Sequence, residues 1–258
     1  MKRMLKRILV VLLVLILLAV AGFGALYAGR LRTVNSIEQI TAYDDYNLYR
    51  MDVTYDYSID DVINYGITDN QSMIDAILKE TLPLLPVHMK APNFGCSAFG
   101  TVSDRNILMG RNILMGRNYD FKRDTSAMLV YCTPKDGYKS VALAALDNIS
   151  ANQPDISMAK KLACLTAPFI CLDGMNERGV SIAVLTLDSE PVNQDTGKQK
   201  IFTTLAIRLV LDRAATTQEA VDLLDSYDMF ATSGRDYHFF VVDACLLYTS
   251  DAADEARS

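Results

Sequence analysis

Residues 8–28 read ILVVLLVLILLAVAGFGALYA, a run without a single charge, and the segment before it, MKRMLKR, is strongly basic. A helix of about twenty apolar residues crosses the hydrocarbon core of a bilayer. Basic residues ahead of such a span favour a cytoplasmic N-terminus and an exported remainder. The alternative is a cleaved signal peptide, whose apolar region usually runs to about 7–15 residues; Ala19-Val20-Ala21 offers a weak cleavage site inside the run. Both readings place everything after residue 29 outside the cytoplasm. The expectation is therefore a single-pass cell-membrane protein with an extracytoplasmic domain, or a secreted one after signal cleavage.

The chain has 258 residues, 50% of them hydrophobic, enough for one sizeable core. Its net charge of −6, with no Lys/Arg cluster beyond the extreme N-terminus, argues against nucleic acid as a partner. The five cysteines, Cys96, Cys132, Cys164, Cys171 and Cys245, show no C-x-x-C spacing. His88 and His238 sit in no metal-ligand pattern, so neither a zinc site nor a disulfide framework is expected.

From Gly29 to about Tyr65 the chain is polar, rich in Asp and Tyr, and yields only fragments of pattern. Tyr43, Tyr46, Tyr49, Tyr55 and Tyr57 read as a partly buried surface belt, with the lining of an acyl pocket as the alternative. QSMIDAILKETLPLLP then predicts a helix capped by Ser72, with Met73, Ile74, Ile77, Leu78 and Leu82 on one stripe and Pro83 and Pro86 ending it. From Cys96 the texture becomes short β-like runs: CSAFGTV, NILMGRNYDF, AMLVYCT and KSVALAALD, separated by turn-rich pieces. FICLDGMNERGVSIAVLTLD predicts strand, tight turn, strand. TTLAIRLVLDRA predicts a helix with Leu205, Leu209 and Val210 on one face. Thr216 to Glu219 form a capping box opening a second helix that buries Val221 and Leu224. YHFFVVDA returns to a strand. Antiparallel strands followed by helices imply an α+β layered domain.

Cys96 heads an apolar run. A thiol attacks a carbonyl as thiolate and usually needs an adjacent base, yet no Cys–His pairing is suggested. If the chain is cut between Gly95 and Cys96, the freed α-amine, with a pKa of about 8, can take that proton. A guanidinium at Arg117 would favour the thiolate, and a carboxylate at Asp120 could orient the α-ammonium. The plainer reading is a core cysteine in a strand with Arg117 and Asp120 on the solvent face. On a strand, residues three apart face opposite ways, so RNYD needs a bend for both to reach one site. Cys132, Cys164 and Cys171 read as packed thiols, and Asp147 and Asn148 as turn residues.

CSAF…GRNYDF, then DGMNERGVSIAVLTLD, TTLAIRLVLDRAATTQEAVDLL and HFFVVDA follow the order of the choloylglycine hydrolase family. These linear-amide C–N hydrolases include bile salt hydrolases and penicillin V acylases and are similar to acid-ceramidase-like amidases. The resemblance covers about Phe94 to Ala244. It implies the four-layer αββα sandwich of N-terminal-nucleophile hydrolases, here incomplete and preceded by one transmembrane helix. It implies Cys96 as nucleophile, Arg117 as the thiolate-side arginine and Asp120 as the amine-orienting aspartate. It also sets Thr186 where bile salt hydrolases carry an oxyanion-binding asparagine, and a structural role on Asn176. The substrate would be a small linear amide and no cofactor is needed. An acyltransferase of the same fold and an inactive membrane-tethered binding domain are the alternatives.

RNILMG occurs twice in succession before RNYDF, and only Arg117 is followed by an Asp three residues on. The insertion is even in length, so it preserves which face each strand residue points to. A longer hairpin loop and a duplication artefact are both open. The ending, CLLYTSDAADEARS, fits no element and resembles translated adapter sequence. The family supplies a further oxyanion asparagine and a second arginine beyond that point, and losing one oxyanion donor costs about 100- to 1,000-fold in rate. The expected organisation is 1–29 anchor or signal segment, 30–95 pre-nucleophile segment like a propeptide or α-chain, 96–244 truncated amidase domain, and 245–258 a non-native tail. The chain as written is expected to hydrolyse amides negligibly.

Overall fold

The computed structural model describes residues 2–42, 47–89, 98–99, 118–119, 126–153, 157–187, 190–231 and 236–243. The apolar N-terminal run forms a helix, α1 (Lys2–Asn35), that continues past its uncharged stretch. It is long and apolar enough to cross a membrane, and none of its apolar window is buried. Its last turns behave differently: Tyr27, Arg30, Thr33 and Val34 are all buried in the domain.

Two strands follow, β1 (Glu38–Ala42) and β2 (Asn47–Val53), then two helices, α2 (Ile59–Asn64) and α3 (Asn70–Thr81). A short pair comes next, β3 (Ala98–Phe99) and β4 (Asn118–Tyr119). Strands β5 (Ala127–Cys132) and β6 (Ser140–Ala145) lead through a 3-10 turn, Leu146–Ile149, to α4 (Met158–Ala163). A second 3-10 turn, Cys164–Phe169, precedes β7 (Cys171–Asn176) and β8 (Ser181–Leu187). Then come β9 (Gln199–Phe202), α5 (Thr203–Arg213), α6 (Thr217–Asp225), β10 (Tyr227–Phe230) and β11 (Asp236–Val242).

Seven strands form one sheet in the order β1-β2-β5-β6-β7-β8-β11. All neighbours are antiparallel except β2 and β5, which run parallel, contrary to the purely antiparallel expectation. The register shows where the core lies. Met51 pairs with Val130, Val130 with Ala142, Ala142 with Gly174, Gly174 with Ile182 and Ile182 with Val241. Partners across a ladder share a face, and all of these side chains are buried. Helix α5 lies on that face. A Cβ at Gly174 would meet Leu211 Cδ1 at 2.7 Å, Val141 O at 2.8 Å and Ala142 Cβ at 2.9 Å, so only glycine admits the helix this close. On the opposite face Leu129, Val141, Leu143, Leu185 and Phe240 are partly exposed, while Tyr131 and Met175 are exposed. Helices over one sheet, two layers, are thus present among the described residues, and the mixed α+β class holds.

The segment between α1 and Cys96 shares this core. Its strand β2 lies inside the sheet, between β1 and β5. Tyr49, Tyr55 and Tyr57 are buried, which corrects the expectation of a surface belt; Tyr43 and Tyr46 lie outside the described residues. Tyr55 donates to Leu165 O at 2.6 Å, and Tyr57 donates to Asp212 Oδ1 at 3.1 Å, so both phenols are satisfied inside. The end of α1 is fastened to the same region. Arg30 donates from Nε to Thr81 O (2.6 Å) and from Nη2 to Glu80 O (2.8 Å), satisfying carbonyls at the C-terminus of α3. A Cβ at Gly29 would lie 2.9 Å from Tyr55 Cα, so glycine again permits the close approach.

Helix α3 buries the predicted stripe, Met73, Ile74, Ile77, Leu78 and, at its C-cap, Leu82. Its N-cap, however, is Asp69, and Ser72 is the N3 partner of a reciprocal capping box. At α6, Thr216 accepts from Glu219 N as expected, but Glu219 Oε2 accepts from Ala215 N, one residue outside the usual box. That helix buries Thr217 and Ala220; Val221 is exposed and Leu224 only partly buried, another correction. Asp147 and Asn148 lie in the 3-10 turn Leu146–Ile149, as turn residues should.

Candidate active site

Cys96, Arg117 and Asp120 lie outside the described residues, as do both RNILMG copies and Cys245. The residues beside them are paired: Ala98 opposes Tyr119 and Phe99 opposes Asn118 in the antiparallel β3–β4 ladder. Arg117 and Asp120 directly flank β4 in sequence, and Cys96 precedes β3 by two positions. Strand β3 lies alongside β8. Thr186 belongs to β8, in register with Tyr237 of β11. The backbone thus gathers β3, β4 and the strand bearing Thr186 into one neighbourhood.

The turn between β7 and β8 is built around Asn176. Its Nδ2 donates to Leu211 O (3.1 Å) and Ala214 O (2.7 Å), capping α5. Its Oδ1 accepts from Arg178 N (3.0 Å) and Val180 N (3.1 Å), closing the turn. With both amide hydrogens and the carbonyl committed to the backbone, this buried side chain is structural, as the resemblance implied.

The three described cysteines cannot supply a nucleophile. Burial pushes the Cys132 and Cys171 thiols upward and lifts Cys164 to about 12, so all three stay protonated at neutral pH. Each is buried and free. Among the described residues no group of three or more His, Cys, Asp and Glu side chains could hold a metal ion.

One polar constellation escaped the sequence reading altogether. Arg208 of α5 is completely buried and pairs with Asp212 one turn on, Nη2 to Oδ1 at 2.6 Å. Nη2 also donates to Ser140 Oγ (2.6 Å) and Nη1 lies 3.3 Å from Cys132 Sγ. Tyr57 completes the group through Asp212, and the guanidinium sits 5.8 Å from its ring centroid. Burial works against the Arg208 charge, but Asp212, Cys132 and Tyr57 outweigh it and hold the guanidinium above its ordinary range. The cluster lies between helix and sheet, so it joins α5, β5, β6 and the stretch before α2 that carries Tyr57 mechanically. The only signal in the sequence was an Arg and an Asp at i and i+4 in an otherwise apolar helix.

Comparison with curated proteins finds no match. Among solved structures the chain is similar to penicillin V acylase from Agrobacterium tumefaciens, at 24% identity and a TM-score of 0.29, over 42% of this chain and 27% of that one. It is also similar to two variants of conjugated bile acid hydrolase from Clostridium perfringens. These align at 16% and 15% identity with TM-scores of 0.30 and 0.29, each over 43% of this chain and 31% of that one. The likeness therefore spans less than a third of any of these three proteins. A family model matches residues 107–256, more than half of the chain, beginning after Cys96 and taking in Arg117, Asp120 and Thr186. On that match the chain belongs to the linear amide C–N hydrolases of the choloylglycine hydrolase family.

Proposed function

We propose that the chain is the membrane-anchored precursor of a cysteine amidase that cleaves a linear amide, with the acyl group passing through a thioester on Cys96. Membership of the linear amide C–N hydrolases carries this reading, and the β3–β4 pairing supports it by bringing the flanks of Cys96 and of Arg117–Asp120 side by side. The complete fold is the four-layer αββα sandwich, whose second sheet would cover the half-exposed face of the seven-stranded sheet. Helix α1 spans the cell membrane and leaves the domain extracytoplasmic.

Cleavage before Cys96 frees its α-amine, which takes the thiol proton. The thiolate attacks the amide carbon, the C–N bond breaks, and the α-ammonium returns a proton to the departing amine. Water, deprotonated by the same amine, then hydrolyses the thioester and releases the acid. Arg117 favours the thiolate, Asp120 orients the α-ammonium, and the Thr186 hydroxyl donates to the oxyanion. No cofactor enters. Substrates of the penicillin V, N-acyl amide and conjugated bile acid types are the class to test.

The test is alkylation of Cys96 by iodoacetamide, followed by peptide mass spectrometry, on the full chain carrying a protease site whose cut makes Cys96 the first residue. Labelling should accelerate sharply on cutting and slow again with Arg117→Met. Equal rates before and after cutting would dismiss the N-terminal-nucleophile mechanism.

A further inference from the structure

The loop after α3 presents two leucines to the outside: Leu84 is 79% exposed and Leu85 is 36% exposed. Leu84 also holds a left-handed backbone, φ 67°, a conformation that a bulky side chain adopts only at a cost. A strained backbone that turns leucine outward calls for a reason.

Its position supplies one. Arg30 caps the α3 carbonyls of Glu80 and Thr81. Farther along the same loop, Pro83 O accepts from the Tyr27 hydroxyl, about one turn nearer the N-terminus of α1. Phe23, a further turn back and 44% exposed, stacks on Tyr27 with ring centroids 4.5 Å apart. The loop therefore advances along α1 toward its wholly exposed apolar stretch as far as Pro83, and Leu84 stands at the tip of the turn that Leu85 N–H closes on Leu82 O (3.3 Å). At 1.5 Å per residue, the helix from Ile8 to Tyr27 is about 30 Å long, the thickness of the hydrocarbon core. Tyr27 then sits at the far boundary, where tyrosine is favoured, and the domain begins there without a linker.

We propose that the Pro83–Pro86 loop is a second membrane contact, with Leu84 and Leu85 seated in the lipid interface beside the anchor helix. This rests on α1 spanning the bilayer. Two points of attachment fix the tilt of the domain as well as its tether. Buried leucine side chains each contribute apolar area to that contact.

The test reconstitutes the full chain, with Cys96→Ser and Cys245→Ser to remove the two cysteines outside the described residues, into phosphatidylcholine vesicles. A nitrobenzoxadiazole probe is attached at Leu84→Cys, and in separate samples at Val14→Cys and at Gln218→Cys. Vesicles containing a shallow doxyl-labelled lipid should quench most of the Leu84 emission and leave Gln218 unchanged. Quenching at Val14 but not at Leu84 overturns the loop contact while leaving the spanning helix intact. Quenching at neither overturns both. A Leu84 probe that is blue-shifted yet unquenched reports burial against protein, and also overturns the contact.

Discussion

Replacing Arg208 by methionine keeps the length of the side chain and removes its charge. The guanidinium holds Asp212 at 2.6 Å and Ser140 at 2.6 Å, with no water at hand to replace it because both Arg208 and Asp212 are buried. Breaking a buried ion pair from one side costs about 3–5 kcal/mol, a large part of the roughly 5–15 kcal/mol that stabilises a domain. Asp212 keeps one donor, the Tyr57 hydroxyl, and can shed its charge by taking up a proton, so the lower half of that range is expected. Burial drives the Asp212 carboxyl upward, and Arg208 restrains it. The folded carboxyl already binds its proton more readily than the unfolded one, and losing Arg208 strengthens that preference, so the variant loses less stability at pH 5 than at pH 8. The double change Arg208→Met with Asp212→Leu should return toward the wild type, since an apolar replacement of a whole buried pair is often neutral or stabilising. Urea unfolding of the full chain in detergent micelles measures this. With 13 tyrosines and no tryptophan, tyrosine fluorescence reports on the core that holds Tyr49, Tyr55 and Tyr57. A cost below about 1 kcal/mol for the single variant, or a double variant less stable than the single, would refute the reasoning.

Two further outcomes follow from packing and charge. Gly174→Ala should destabilise by about 1–3 kcal/mol in the same urea assay, because Val141 O and Ala142 Cβ cannot yield even if Leu211 rotates away; a neutral result would mean that β6 does not approach Gly174 this closely. Asp228 accepts from Thr196 Oγ1 (2.6 Å) and from the backbone N–H groups of Thr196, Gly197 and Lys198, and the Thr196 hydroxyl first among these holds its carboxyl below the usual range. A depressed folded pKa gives stability that is present above the unfolded value, about 3.9, and is lost as pH falls through the folded one. Asp228→Asn should thus lower the Tm at pH 7, and the two melting curves should converge below about pH 4; a gap that persists at pH 2 contradicts the assignment.

What the sequence disclosed was what depends on local period. The α3 stripe, the β7–β8 turn and the run of α5 were all legible because their neighbours in sequence are their neighbours in space. The α3 cap was misplaced because Asp69 and Ser72 are both good caps three residues apart, and only geometry shows which lies outside the helix. Strand β2 was missed although Tyr49, Met51 and Val53 alternate with Arg50 and Asp52, because the strand that buries it, β5, lies far along the chain. Val221 was misjudged because α6 meets the core through Thr217 and Ala220, small residues that a hydrophobic scan passes over. The Arg208 cluster was hidden for the opposite reason. An Arg and an Asp one turn apart look like a solvent face, but ten consecutive residues of α5, Thr203 to Asp212, are buried. The motif at Cys96 was readable as chemistry, whereas its spatial relation to Arg117 depends on backbone that no periodicity specifies.

The place of β2 inside the sheet bears on what a cut ahead of Cys96 would do. Such a cut would divide the chain covalently but not mechanically. The upstream piece would still hold β2 between β1 and β5, Tyr55 on Leu165 and Tyr57 on Asp212. Separation would then be an unfolding event rather than a dissociation, because the interface is the interior of the domain. The two polypeptides would behave as one body for as long as the domain stays folded, and on the proposed spanning role of α1 the downstream piece would remain held to the bilayer by a chain to which it is no longer bonded.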